Sequence, residues 1–313
     1  MYARIAPFDA SFDVFYWYVV PNHIEHIQKG MVVLVPWKKE VLGLVMEMVD
    51  TVEKKQIKEI FHVYDETLLL PEISLQLIDW MVRHYFAKIH TTARLFFTTD
   101  MLSKMKKSTF FLASPEEKSQ YMWSMSAMLT DEQRRVYERI VSEKEKNFLL
   151  YGVTGSGKTE IYMHLMAYYL NLKQVLFLVP EIILTSQLLD RTKQVFGDEV
   201  VSIHSDITPA KKTKIWQSVY HGQAKIIIGT RSSLFYPYRD LLIIVDEDQD
   251  TSYISDTSPR YDTIEVAEKI SELSGIQLLL ASGTPKISHM YDGVQGKYEV
   301  LYLLEVYGGE KDS

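Results

Sequence analysis

The stretch Gly152-Val153-Thr154-Gly155-Ser156-Gly157-Lys158-Thr159 has the residue types and spacing of a phosphate-binding loop, G-x-x-x-x-G-K-[ST]. Glycines at these places let backbone N–H groups turn inward around an anion, and a helix opening near Thr159 adds its positive end. The Lys158 ammonium then reaches the β- and γ-phosphates of a nucleotide, and the Thr159 hydroxyl suits Mg²⁺. Gly152, Thr154, Gly155, Ser156, Gly157, Lys158 and Thr159 are therefore the candidate nucleotide contacts. Further on, the apolar run 241–245 ends in Asp246-Glu247, the form a Walker B site takes. Asp246 would hold Mg²⁺ through water, Glu247 would polarise an attacking water as general base, and Lys158 completes the catalytic set. The bland alternatives are a glycine-rich turn and a solvated helix cap. A strand before the loop, a helix after it and the presence of both motifs in one chain weigh against them.

Other polar groups follow apolar runs in the same half of the chain: Val179-Pro180-Glu181-Ile182, Gly229-Thr230-Arg231 and Ser282-Gly283-Thr284-Pro285. Ahead of the loop, Thr130-Asp131-Glu132-Gln133 sets a helix N-cap and a glutamine, Gln133, suited to reading an adenine edge. These residues need a scaffold, and the pattern supplies one. Runs at 147–151, 175–179, 200–203, 225–229, 241–245 and 277–281 are apolar without alternation, which marks strands buried on both faces of a parallel sheet. Helical stretches between them complete a doubly wound α/β domain, whose ligands sit at the carboxyl ends of the strands.

The first part reads differently. Val- and aromatic-rich segments at 2–8, 15–20, 31–37 and 41–49 predict short strands of a small β-unit. Pro71 opens a helix presenting Ile73, Leu77, Trp80, Met81 and Tyr85 on one face, expected to cover that sheet. The Lys-, Ser- and Met-rich stretch that follows has no clean period and reads as a linker. The organisation expected is thus a β-rich domain over 1–102, a linker over 103–128 and a P-loop domain over 129–313.

Composition narrows the function classes. The chain has 313 residues, 34 Lys plus Arg against 41 Asp plus Glu and a formal net charge of −7, so contact with nucleic acid must come from a local surface. Basic clusters at Lys38-Lys39, Lys54-Lys55 with Lys58, and Lys104 with Lys106-Lys107 each read singly as a solvated face. Tyr16 or Trp17, together with Trp37, offer rings for base stacking beside Lys38, although core packing serves any one ring equally well. There is no cysteine, and no metal site other than that for Mg²⁺ is assigned. No run reaches the length of a membrane-spanning helix and no secretory signal opens the chain, so a cytoplasmic protein is the expectation.

The order Gln, P-loop, Pro-Glu, Gly-Thr-Arg, Asp-Glu, Ser-x-Thr-Pro resembles the first motor lobe of superfamily-two helicases. The strings GVTGSGKTEIY, LVPEIILTSQ, IHSDITPAKKTKIWQ, IIIGTRSSLFYP and VDEDQDTSYISDTSPRY more closely resemble the primosomal N-prime (PriA) family of replication-restart helicases. The first 100 residues are more loosely similar to that family's 3′-DNA-binding domain. The resemblance implies an α/β protein with a small β-rich domain and a RecA-like lobe, ATP and Mg²⁺ as cofactors, and forked, single-stranded or 3′-ended DNA as partner. Primosome or single-strand-binding proteins are implied further partners; zinc and membranes are not. Thr230, Arg231, Arg260 and Tyr261 are the implied DNA contacts of the lobe, joined by Tyr16, Trp17, Trp37 and Lys38 of the first domain.

Departures from the family bear on activity. Asp246-Glu247-Asp248-Gln249 stands where the family has Asp-Glu-Glu-His, Gly283 replaces an alanine, Pro259 and Asp262 replace an aromatic and a histidine, and Tyr16-Trp17 falls on Phe-Asp. A winged helix, zinc-binding cysteines and a second lobe are not expected within these 313 residues. The chain alone is therefore expected to bind nucleotide but neither to unwind DNA nor to hydrolyse ATP at a helicase-like rate. The competing reading is a DNA-fork-binding scaffold whose P-loop is structural. A small-molecule P-loop kinase is disfavoured, because nothing resembles a phosphate-acceptor lid.

Overall fold

A computed structural model of the chain describes residues 1–9, 14–37, 39–53, 56–114 and 128–306. Five strands come first: β1 (Tyr2–Pro7), β2 (Tyr16–Val19), β3 (Val32–Pro36), β4 (Glu40–Val49) and the short β5 (His62–Val63). They form one antiparallel sheet in the order β2-β1-β4-β3-β5. Three helices follow, α1 (Glu72–His84), α2 (Ile89–Arg94) and α3 (Thr99–Lys106). The sheet is apolar on both faces. Ala3, Ile5, Val33, Val35 and Val45 pack in one small cluster, while Ala6, Phe8, Val32, Leu42 and Leu44 join a much larger one with the helices.

The second unit alternates as expected, with α4 (Asp131–Ser142), β6 (Phe148–Gly152), α5 (Lys158–Tyr169), β7 (Gln174–Leu178), α6 (Ser186–Phe196), β8 (Val200–Ile203), α7 (Pro209–Tyr220), β9 (Ile226–Gly229), β10 (Leu241–Asp246), α8 (Thr263–Ser274), β11 (Leu278–Ser282), α9 (Ile287–Val294) and β12 (Glu299–Leu303). All seven strands are parallel, in the order β12-β6-β11-β10-β7-β9-β8. The central strands are buried along their whole length, which is why the sequence shows unbroken apolar runs rather than alternation. β12 is absent from the strands expected. Its side chains are mostly half-exposed at the sheet edge, so no apolar run marks it.

The two units share a core. Phe8, Leu77, Met81, Phe96 and Met101 of the first belong to the same buried cluster as Trp216, Phe235 and Ile264 of the second. The Trp216 indole donates to the Phe96 carbonyl at 2.8 Å and stacks between Phe97 and Tyr220. The Tyr220 hydroxyl donates to the Thr67 carbonyl at 2.9 Å and accepts from the Leu69 amide at 3.1 Å. Helix α1 does more than cover its sheet. It buries Ser74, Leu75, Leu77, Ile78 and Met81, leaves Ile73, Trp80 and Tyr85 half-buried, and packs against α8, where the Tyr85 hydroxyl donates to Glu265 at 2.7 Å. A helix held between two partners buries more than one stripe, so the single face expected was too narrow.

The segment expected as a linker from 103 onward starts later. α3 runs to Lys106 with Met101, Leu102 and Met105 buried, and its N-cap Thr98 shares a hydrogen bond with Thr213 of α7 at 2.5 Å. Apolar residues at i and i+4 were present in the sequence, but the surrounding lysines and serines hid their period. The remainder of that segment, 115–127, lies outside the described residues. Among the described residues, no helix is long and apolar enough to cross a membrane.

Candidate nucleotide-binding site

The loop between β6 and α5 is a strand-to-helix turn closed by glycines. Gly155 and Gly157 both have φ +80°, a left-handed conformation that side-chain-bearing residues rarely adopt. A Cβ on Gly152 would come within 2.9 Å of Lys158 Cγ, so the lysine stem lies flat over the loop's first residue. Lys158 Nζ donates to the Gly152 carbonyl at 2.9 Å and lies 3.4 Å from Glu247 Oε1. The Ser156 hydroxyl is buried within the turn and has no hydrogen-bond partner.

Gln133 supports this loop from behind. It closes a capping box on α4, with Thr130 Oγ1 accepting from the Gln133 amide at 3.2 Å and the Gln133 side-chain oxygen accepting from the Thr130 amide at 3.0 Å. Its side-chain nitrogen donates to the Ser156 carbonyl at 3.0 Å. The residue is buried, and its amide ties the start of α4 to the P-loop.

The carboxylates stand opposite, at the end of β10. Asp246 Oδ1 accepts from the buried Tyr162 hydroxyl at 2.8 Å, and the Asp246 carbonyl accepts from Tyr253 at 2.7 Å. Burial pushes the Asp246 carboxyl up to about 6, against the Tyr162 hydrogen bond and the Lys158 charge and with the help of neighbouring Glu247. The Tyr162 phenol is itself held well above its ordinary range, first by burial and then by the Asp246 charge, so it remains a donor. Glu247 sits at φ +51°, which turns its side chain back toward Lys158. Its other oxygen accepts from Gln249 at 2.8 Å; Gln249 in turn accepts from the Ser282 hydroxyl, which accepts from the Thr284 amide at 2.8 Å. The hydrogen bonds from the β11 end to Glu247, with the Glu247–Lys158 ion pair, thus connect the β11 end, the β10 end and the P-loop. A Cβ on Gly283 would meet Gly152, Thr154 and Lys158 no closer than 3.6 Å, so an alanine would fit there and the departure leaves the backbone path intact.

Among the four residues with expected DNA roles in the lobe, two are buried. Thr230 directly follows β9, and Tyr261 packs edge-on against Phe235 with centroids 5.2 Å apart. Tyr261 is a core ring; the aromatic-rich composition of its loop gave no sign of which rings face inward. Arg231 donates to the Ser252 and Ile254 carbonyls at 3.2 and 3.0 Å, tying β9 to the loop that follows Asp246. Arg260 is exposed and donates to the Asp256 carbonyl at 3.1 Å. In the first unit Tyr16 and Trp37 meet edge-on, with centroids 4.4 Å apart, and Trp17 lies opposite Arg4 in the sheet; all three are half-buried. Lys38 lies outside the described residues. Sequence reasoning missed Tyr162, although it stands one helical turn after Lys158 and therefore on the same side of α5; Ser282 was singled out only as part of the Ser-x-Thr-Pro string, without a partner.

Comparison with known proteins agrees with this geometry. Residues 126–287 match the family model described as "Type III restriction enzyme, res subunit", and residues 6–98 match the model of the 3′DNA-binding domain (3′BD). The replication restart protein PriA of Rickettsia conorii is 36% identical over 293 residues, covering 93% of this chain and 44% of that protein. This chain belongs to the PriA family. The Bacillus subtilis family member is 40% identical over 181 residues, 56% of this chain and 22% of that protein. The chain spans less than half the length of these relatives. Among solved structures, the Hef helicase domain of Pyrococcus furiosus is similar at 22% identity and a TM-score of 0.41, over 55% of this chain and 37% of that one. The chain therefore carries a 3′BD-type domain followed by a domain of the family described as "Type III restriction enzyme, res subunit", the two units seen in its fold.

Proposed function

We propose that this chain is the nucleotide- and DNA-binding part of a replication-restart motor. It takes ATP or ADP with Mg²⁺ in the loop 152–159 and forked, single-stranded or 3′-ended DNA on its N-terminal unit. The observation that carries the reading is the loop itself, which turns on two left-handed glycines with an unpartnered Ser156 hydroxyl inside it and Lys158 lying across its mouth. Such a cradle fits a phosphate, because backbone donors and one ammonium offset its charge.

Thr159 and Asp246 would hold Mg²⁺, which supplies charge neutralisation at the phosphates when bound. Burial raises the Asp246 pKa against the Lys158 charge, and a divalent cation held there would favour the carboxylate further. Lys158 would exchange the Gly152 carbonyl for phosphate oxygens. Glu247 would orient the attacking water, and Gln249 with Ser282 keeps it aimed across the cleft. Arg231 and Arg260 both donate to backbone carbonyls, so neither serves as the arginine that meets transition-state charge. That contribution is roughly 10³ to 10⁵ in rate in related P-loop enzymes, and hydrolysis by this chain is slow until a second lobe supplies it.

The second reading, a fork-binding scaffold that never hydrolyses ATP, is favoured by Glu247 having both oxygens engaged, one by Lys158 and one by Gln249. Titration of a fluorescent nucleotide against the parent and Lys158→Ala tests the site, and equal affinities refute it. A steady-state ATPase assay on forked DNA, with and without a separately supplied second lobe, separates the two readings. Stimulation by the second lobe supports the motor, and none supports the scaffold. Tryptophan quenching by oligonucleotides with a free or blocked 3′ end tests the DNA arm.

A further inference from the structure

The acidic chain has one strongly basic seam. The segments 98–114 and 204–217, which contain α3 and the first half of α7, hold six lysines (Lys104, Lys106, Lys107, Lys211, Lys212, Lys214) against two aspartates, Asp100 and Asp206. They come from different units of the fold, but the structure sets them side by side. Thr98 and Thr213 share a hydrogen bond, Asp100 takes one from Thr213 and pairs with Lys104 at 2.8 Å, and Gln217 donates to the Phe111 carbonyl at 3.0 Å. Lys104 thus stands beside Thr213, whose chain neighbours are Lys212 and Lys214.

Two features distinguish these lysines from an ordinary solvated face. Lys106 pairs with Asp9, but Lys107, Lys211, Lys212 and Lys214 have no ion pair among the described residues. They also defy the helix dipole. Helices α2, α6, α7 and α9 carry no acid in the first turn, and among them α7 alone places three lysines within its first six residues, at its positive end. Unpaired positive charges gathered at a positive helix end repel one another in the free protein, and a polyanion relieves that repulsion.

The location fits. β8 is an edge strand, and α7 begins just past its carboxyl end, next to the Thr230-Arg231 end of β9; the P-loop lies on the same carboxyl-end rim of the sheet, after β6 toward the opposite edge. We propose that α3 and α7 form a phosphate-backbone track for duplex DNA, bridging the N-terminal unit and the lobe. The proposal rests on the DNA-binding reading above and deepens it. Duplex fits better than a single strand because ammonium groups are point charges for phosphates, while a single strand needs rings for its exposed bases. Phe111 is the only exposed phenyl ring in the two segments.

The test is fluorescence anisotropy with a blunt duplex and a single strand of equal length, over a salt series, using the parent chain and the triple variant K211Q/K212Q/K214Q. These side chains are exposed or half-buried, so the fold is retained, and unchanged melting and nucleotide affinity verify it. Loss of three phosphate contacts lowers the slope of log K against log salt by about 2.7 for duplex, so the variant loses about 40-fold less affinity than the parent over a fourfold rise in salt. Duplex affinity at low salt should fall at least about tenfold, with single-strand affinity changed less than about twofold. A parental slope in the variant overturns the track while leaving the DNA-binding reading standing. An equal loss on the single strand overturns the assignment to duplex. A parent chain that binds no DNA at all overturns both.

Discussion

Replacing Asp246 by asparagine separates what the site needs for its ligand from what the fold needs for itself. Burial at the end of β10 raises the Asp246 carboxyl from 3.8 to about 6, despite a hydrogen bond from Tyr162 and the nearby charge of Lys158. A rise of about two units corresponds to about 3 kcal/mol. The carboxylate is partly open to solvent, which reduces its usable share to about 1–2 kcal/mol. The sign follows from linkage. Between 3.8 and about 6 the folded state holds the proton and the unfolded chain has released it, so stability falls as pH rises through that window, and the full cost stands above it. Asparagine is neutral throughout and still accepts the Tyr162 hydroxyl. Asp246→Asn should therefore melt about 1.5–3 °C above the parent at about pH 8, with the gap roughly halved at about pH 5 and closed only near the unfolded value of 3.8. It should also lose the Mg²⁺-dependent part of nucleotide affinity. Calorimetry of both proteins across that pH range is the assay. A variant that melts below the parent at the higher pH, or a gap indifferent to pH, would refute the account of Asp246 as a carboxylate kept buried for a cation.

Gln133→Ala removes the capping box and the donor to Ser156, so stability should drop by about 1–2 kcal/mol and nucleotide affinity should drop with it; reduced stability with parental affinity would leave only the cap. Trp216→Ala empties the seam between the two units at a cost of about 3–5 kcal/mol. Hydrogen exchange should then speed up in α2 and α3 as well as α7, and a change confined to the second unit would contradict the shared core. Tyr162→Phe deletes the donor to Asp246 and lets its pKa rise further, so Mg²⁺-dependent nucleotide binding should weaken more at about pH 6.5 than at about pH 8. Equal weakening at both would mean that the phenol does not act through that carboxylate.

The site's parts were legible one by one. A P-loop is a local instruction: glycines at fixed offsets, a lysine and a hydroxyl within eight residues allow one backbone path, and Gly155 and Gly157 adopt it. The unbroken apolar runs identified six of the seven parallel strands because burial on both faces leaves a composition signal. β12 left none, since an edge strand with half-exposed side chains looks like a loop. Gln133 shows the limit at a single residue. Its cap role was readable from the spacing to Thr130, but its second partner, the Ser156 carbonyl, lies on another element and follows only from packing.

Residue types and their local spacing by themselves determined the glycine-rich loop, the Asp246-Glu247 pair, the parallel sheet and a small β-unit before it, because each depends on interactions among near neighbours in the chain. Tertiary structure alone decided that Tyr261 is core and Arg231 a loop tie, that Tyr162 governs Asp246, and that α1 to α3 share one core with α7 and α8. It alone set the lysine-bearing helices α3 and α7 against each other. Contacts between segments distant in sequence depend on which faces meet once helices and sheets pack, and a polar or aromatic side chain is chemically the same whether it ends in the core, on a partner or in water.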